Sequence, residues 1–383
     1  MELKPEVLIC IDWFLPGYRA GGPIKSVANI VNSLKGSFNF SIVCGNTDFG
    51  DDTPYDGIKS NCWIQVSGYR VMYLDREHQS LKQFREILKS TKYDVLYLNS
   101  LFSTRFTFFP LLAHKLSANK AKVVLAPRGM LGEGALALKK QKKKIFLSFV
   151  KATGLFKNVV WHASTIYEVN EIRVVFGANT QVEIATNIST AISDTFNPKV
   201  KSPDNTTFFF LSRISPKKNL LAALQMLTKL DLTNQVSFKI IGPVEDAAYW
   251  DKCQKQIALL PQNIVVDYIG SVPNSLLPTY LNSYHFMVLP TLNENYGHVV
   301  VEAWEAGCPV ILSDQTPWRN LIEDKVGWDI PLNNEKQYLD VLRKCVLMEQ
   351  EEFSSFGGHI KKYLQSKVVT DEIIEQNKTL FSV

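Results

Sequence analysis

PTLNENYGHVVVEAWEAGCPVILS, residues 290–313, is the stretch that sets the architecture. The apolar run Phe286–Leu289 just before it predicts a buried strand, and Pro290 opens the loop that follows. Asn295, Tyr296 and Gly297 lead into a helix with apolar positions Val299, Val300, Ala303 and Trp304. Gly307 stops that helix and Pro309 begins the next strand. A strand–loop–helix–strand unit places its loop and helix start at the carboxyl end of the strand, where open α/β sheets take ligands. The amides from Tyr296 to Val299, with the positive end of the helix dipole, suit a diphosphate.

Outward from this unit, apolar strand candidates alternate with longer helical patterns along the whole chain. In the second half they are Phe208–Leu211, Phe238–Ile241, Val265–Ile269 and Val310–Leu312. In the first half they are Val7–Ile11, Phe40–Val43, Val95–Leu98, Val123–Ala126 and Val159–Trp161. Near-continuous apolar strands separated by helices are the pattern of parallel sheets covered on both faces. Two such series in 383 residues predict two doubly wound domains. The expected divisions are a first domain over 1–190, a polar, proline-bearing linker over 191–205 and a second domain over 206–365. Residues 366–383 are expected to form a helix packing back on the first domain.

Composition limits the partners. With 46% apolar and 21% charged residues the chain can bury a large core. A net charge of +5 fits anionic small ligands and does not call for nucleic acid. The six cysteines lie far apart with no C-x-x-C pair, which reads as reduced thiols rather than a metal knuckle or a disulfide framework. No run approaches about 18 uninterrupted apolar residues, so no membrane span is predicted and a cytoplasmic location is expected. One lysine-rich helix, Lys139 to Lys151 with Ile145, Phe146, Phe149 and Val150 interleaved, reads in two ways. It is a solvated amphipathic face, or a peripheral contact with anionic membrane at the inner face of the plasma membrane.

Two carboxylates belong to the 290–313 unit, Glu294 before the helix and Glu302 within it. A fully helical interval would set them roughly 12 Å apart along the axis, against about 5 Å for a retaining glycosidase pair. They are expected to hold different parts of an extended ligand. In FFFLSRISPKKNLL, residues 208–221, Ser215 and Pro216 predict a helix start, with Arg213 in the turn and Lys218 in the first helical turn. Cations oppose the dipole at that end, so their expected purpose is to meet an anion. Near the N-terminus, DWFLPGYRAGGP (12–23) follows the first strand, and its paired glycines allow close backbone approach to a ligand.

Together these residues resemble family 4 glycosyltransferases, the group 1 glycosyl transferases of retaining type with the GT-B fold: two facing Rossmann-like domains and an interdomain cleft. The resemblance rests on Gly21-Gly22, Arg213 with Lys218, Gly270-Ser271-Val272, and Glu294 with Glu302 followed by Ala306-Gly307-Cys308-Pro309-Val310. Residues 15–27 (LPGYRAGGPIKSV) and 126–136 (APRGMLGEGAL) also resemble transferases of bacterial exopolysaccharide and capsule assembly. The resemblance implies a nucleotide-sugar donor, UDP- or GDP-linked, and a glycan or lipid-linked saccharide acceptor bound by the first domain. It implies that Arg213 and Lys218 neutralise the donor diphosphate, that Glu294 faces the donor sugar and that Glu302 holds the ribose. Asn295, Tyr296, Gly297, His298 and Val299 would line the donor through their backbone, Val272 would lie by the base and Gly22 by the phosphate. No metal or other cofactor is implied. Arg128 stands where many members carry a histidine, which leaves it two roles, the leaving group or an anionic acceptor. A sugar-nucleotide 2-epimerase, a nicotinamide oxidoreductase and a catalytically inactive partner protein are the competing readings. The oxidoreductase lacks its G-x-G-x-x-G fingerprint here.

Overall fold

Along the first strand successive side chains enter different cores. Leu8 and Cys10 pack on one face, Val7, Ile9 and Ile11 on the other, and all five are buried. A strand buried on both faces belongs in the middle of a parallel sheet. The computed structural model describes residues 4–137, 140–189 and 196–382. It divides into two compact units, residues up to Ile188 with those from Asp371 onward, and Ser189–Thr370.

The first unit is built on an eight-stranded sheet among the described residues. Its strands are β1 (Glu6–Cys10), β2 (Asn39–Gly45), β3 (Trp63–Val66), β4 (Tyr69–Leu74), β5 (Val95–Asn99), β6 (Lys122–Ala126), β7 (Val160–Ala163) and β8 (Val182–Ile184). They lie in the order β3-β4-β2-β1-β5-β6-β7-β8, parallel throughout except for β3 against β4. The C-terminal helix Asp371–Phe381 belongs to this unit. Phe381 sits edge-on against Phe38, Phe40 and Tyr97, and Asn377 Nδ2 donates to Thr186 O at 2.8 Å.

The second unit carries six parallel strands: β9 (Thr206–Leu211), β10 (Val236–Ile241), β11 (Ile264–Gly270), β12 (Phe286–Leu289), β13 (Val310–Ser313) and β14 (Gly327–Ile330). Their order is β11-β10-β9-β12-β13-β14. The chain steps outward from β9 to β11, then returns to β12 on the other side of β9. The sheet's topological switch point therefore lies between β9 and β12, the position where such sheets bind ligands.

Two polar stretches differ from their sequence reading. Within the expected linker, residues 191–195 lie outside the described residues, and 196–205 are part of the second unit. Lys199 Nζ donates to Leu281 O at 2.7 Å and Tyr284 O at 2.6 Å. Lys201, only 2% exposed, donates to Val346 O and Met348 O at 3.0 and 2.9 Å. These lysines satisfy carbonyls at helix ends, so a charged stretch is pinned rather than loose. The second unit also continues past residue 365, because Leu364 and Val368 are buried in its core. The six cysteines are all free, five of them buried. No described helix is long and apolar enough to cross a membrane.

Candidate active site

Two loops meet at the switch point of the second unit, residues 212–219 after β9 and 290–297 after β12. Backbone bonds stitch them together. Leu292 N donates to Lys217 O at 2.8 Å, and Asn219 Nδ2 donates to Pro290 O at 2.9 Å. Thr291 Oγ1 adds a bond to Lys217 O at 3.1 Å.

The cations do not sit on an α-helix, contrary to the sequence expectation for Lys218. Pro216–Lys218 forms one 3₁₀ turn, Asn219 takes a left-handed conformation (φ 59°), and the α-helix Leu220–Thr228 starts only after it. The cause is a contact across the fold: the Asn219 side chain is bound to the loop after β12, and asparagine tolerates the left-handed region. Lys218 is thereby turned inward, 8% exposed, where its Nζ pairs with Glu294 Oε2.

Burial alone would raise the Glu294 carboxyl. The Lys218 charge and hydrogen bond, with the fields of Lys217 and Arg213, outweigh it and hold the group below its ordinary range. Three basic side chains and one carboxylate thus form one electrostatic cluster. Arg213 Nη1 meets Glu245 Oε1 at 2.9 Å, both about one-third exposed. At rest each of these two cations is held in place by a carboxylate.

Gly297 (φ 83°) starts the helix His298–Glu305, with no side chain capping it. Glu294 lies in the loop before the helix and Glu302 within it, the placement expected from the sequence. Trp318 Nε1 donates to Tyr296 O at 2.5 Å, and Tyr296 hydroxyl meets Ser189 Oγ at 2.9 Å. His298 is 7% exposed with its ring against Tyr296 at 4.9 Å, the position of a helix-start residue. Asn295, Val299 and Glu302 are half-buried on the same loop and helix. Val272 follows the edge strand β11 and packs partly against the core.

Sequence reasoning missed Lys217, Thr291, Trp318 and Glu245. Lys217 was signalled by its place beside Lys218. The others are recruited across the fold and have no local signature.

Gly22 and Arg128 belong to the first unit. Gly22 opens the helix Gly22–Leu34, after Gly21 at φ 70°. Arg128, itself left-handed at φ 57°, reaches across the carboxyl edge of the sheet. Its Nη2 donates to Tyr97 hydroxyl and Asn99 Oδ1, both at 2.8 Å; Nε donates to Asn99 Oδ1 at 3.1 Å and Nη1 to Asn187 Oδ1 at 2.7 Å.

Tyr97 hydroxyl in turn meets His162 Nδ1 at 2.7 Å, while His162 Nε2 meets Ala185 O at 2.7 Å. The carbonyl accepts only, so Nε2 carries the proton, Nδ1 accepts from the tyrosine, and the ring is neutral. Burial, with the Arg128 charge, pushes His162 down to about 3. In the second unit His285 is bound between Thr207 N and Val200 O, and burial lowers it to about 4.

Both folded values lie below the unfolded one of about 6.5. The stability they confer is complete above that pH and is lost as pH falls from there toward 3–4. We expect on the order of 3 kcal/mol per histidine by the acid end of that window. The urea midpoint should be lower at pH 5 than at pH 7, and His162→Gln or His285→Gln should flatten the slope. A wild-type midpoint that does not move would contradict the assignment.

Residues 192–358 match the family described as Glycosyl transferases group 1. That segment includes Arg213, Lys218, Glu294 and Glu302. No curated protein sequence matches the chain. Among solved structures, sucrose-phosphate synthase from Thermosynechococcus elongatus superposes with a TM-score of 0.73 at 16% identity, covering 99% of this chain and 98% of that one. WaaG, a glycosyltransferase involved in lipopolysaccharide biosynthesis, gives 0.70 at 13%, covering 98% and 100%. Anabaena HepE, solved with UDP and glucose, gives 0.68 at 12%, covering 98% of each chain. The fold is GT-B.

Proposed function

We propose that this chain is a retaining glycosyltransferase that moves a sugar from a UDP- or GDP-linked donor to a glycan or lipid-linked acceptor in surface polysaccharide assembly. One observation carries the reading: Arg213, Lys217, Lys218 and Glu294 converge at the switch point between β9 and β12. Breaking the bond from the anomeric carbon leaves negative charge on the donor diphosphate. Arg213 and Lys218 stabilise that charge, a contribution on the order of 3 kcal/mol for each well-placed donor. The departing phosphate oxygen takes the proton of the attacking acceptor hydroxyl on the same face of the sugar. No separate protein base is then needed, and the two cations do the work a metal would do.

Glu302 holds the ribose and Glu294 faces the sugar, with the backbone of Asn295 to Val299 against sugar and phosphate and Val272 by the base. The enzyme works in the cytoplasm. Contact with an anionic membrane fits a lipid-linked acceptor: Lys140, Lys142, Lys144 and Lys151 are exposed on the helix Lys140–Thr153, beside exposed Ile145 and Phe149. Lys139 lies outside the described residues.

A panel of UDP- and GDP-sugars, read by thermal shift, tests donor binding, since a ligand of the folded state raises its melting point. Product analysis with and without acceptor tests transfer; a new sugar released without acceptor would make the protein an epimerase. Glu302→Ala should cut turnover by roughly a hundredfold or more. Its melting point should stay near that of wild type, because alanine suits a half-exposed helical position. Near-normal turnover would remove Glu302 from the site.

A further inference from the structure

The first unit carries a cation that no carboxylate touches. Among the described residues no carboxylate oxygen comes within 4.0 Å of an Arg128 nitrogen, although the guanidinium is half-buried. Its bonded partners, Asn99, Asn187 and Tyr97, are all neutral. Glu168, the buried acid nearby, turns its oxygens to Gly129 N at 2.6 Å and to Ser164 N and Oγ at 2.8 and 2.9 Å. The polarity of the network runs one way. Arg128 donates to Tyr97, Tyr97 donates to His162, and His162 donates to a backbone carbonyl, so no proton shift along this chain supplies a counter-charge.

Two kinds of donor are left over. A guanidinium has five N–H groups; four are bonded, leaving one on Nη1. Asn99 Nδ2, on the amide that Arg128 grips, has no partner although Asn99 is 0% exposed. A cation without a carboxylate in contact, beside an unmet donor and with no unmet acceptor in the group, matches an anion and mismatches a neutral hydroxyl, which also needs an acceptor. The place is right as well. Asn99 ends β5, Arg128 follows β6 and Asn187 follows β8, so all three lie at the carboxyl edge of the sheet.

We propose that Arg128 binds an anionic group, phosphate or carboxylate, on the sugar acceptor. This rests on the transferase reading and adds the acceptor's chemical class to it. The donor diphosphate has its own cations in the second unit, which leaves Arg128 for the other substrate.

The test uses the full chain. Crystals soaked in bromide should show an anomalous peak at Arg128 Nη1. With the donor site saturated by UDP, or by GDP if that is the nucleotide bound, the melting point is then followed against glucose 6-phosphate, glucuronate and glucose. At least one charged sugar should stabilise the wild type where glucose does not, and which one does separates phosphate from carboxylate. Arg128→Gln should bind nucleotide within about twofold of wild type and the charged sugar at least about tenfold more weakly. Arg128→Lys, which keeps charge without the planar fork, should fall between.

No bromide at Nη1, no charged sugar bound above glucose, or unchanged sugar binding in Arg128→Gln each overturns the proposal. Loss of nucleotide affinity in that variant also overturns it, by assigning the guanidinium to the donor. Failure of the wild type to bind any nucleotide is a different result, and it sinks the transferase reading instead.

Discussion

Lys218→Ala should lose transfer by roughly 10²–10³-fold and lose stability at the same time. The two losses have separate causes. Lys218 and Glu294 side chains are 10% and 13% exposed, so removing the ammonium strands an ionised carboxylate in a nearly dry site. Breaking a buried pair from one side costs about 3–5 kcal/mol. A neutral amide in place of the acid removes that penalty without restoring a cation. Lys218→Ala/Glu294→Gln should therefore recover most of the melting temperature and none of the activity. Thermal unfolding and initial rates on wild type, single and double variants check both halves. A single variant as stable as wild type would mean that the pair is not buried. A double variant that transfers sugar normally would show that no cation is needed there.

The lowered Glu294 carboxyl sharpens this picture. Because its folded value is depressed, the acid is ionised at neutral pH and the resting pair carries no net charge. On the transferase reading proposed above, an arriving diphosphate shares Lys218 with Glu294 and Arg213 with Glu245, and Lys217 is the third cation of the turn.

What the sequence disclosed follows from how sheets bury themselves. Phe208–Leu211 and Phe286–Leu289 stand out because a strand buried on both faces has no polar alternation, and both are central strands. The edge pair β3 and β4 escaped notice because Gln65 and Arg70 interrupt the apolar pattern. In β14 the break is Asp329, whose carboxylate accepts from Leu321 N at 2.9 Å and so serves a turn as well as a strand.

The members of the candidate site were legible in residue types: Arg213, Lys218 and Glu294 are charged groups at strand ends, where charge needs a reason. Their geometry was not. Whether Lys218 lies on an α-helix depends on Asn219 bonding to Pro290 O, 71 residues away, and Arg213 finds Glu245, 32 residues on. Local propensity carries no information about such partners. The one-way network around Arg128 was hidden for the same reason, since its members come from four separate segments.

Gly242→Ala should be among the most damaging single methyl groups that could be added to the second unit. Gly242 follows β10 at φ 138°, a conformation that side chains rarely adopt. A Cβ there would lie 2.0 Å from Ser212 O and 2.6 Å from Ser212 C, and both are backbone atoms that no rotamer change can move. The strand end cannot retreat easily either. Gly242 N is bonded to Gly270 O at 2.9 Å, Ser212 N to Ile241 O at 3.0 Å and Ile214 N to Pro243 O at 2.8 Å. The clash must therefore push the Ser212–Ile214 turn, which carries Arg213 and leads into Lys218. Strain and overlap together should cost about 4 kcal/mol or more, and whatever folds should bind nucleotide poorly. Gly270→Ala is the control. It also has positive φ (82°), but nothing lies within 4 Å of its Cβ, so it should cost only about 1 kcal/mol of backbone strain. Melting curves and nucleotide titrations of the two variants separate the effects. Equal losses would show that backbone conformation alone, and not the packing of the Ser212–Ile214 turn against the end of β10, makes glycine necessary at 242.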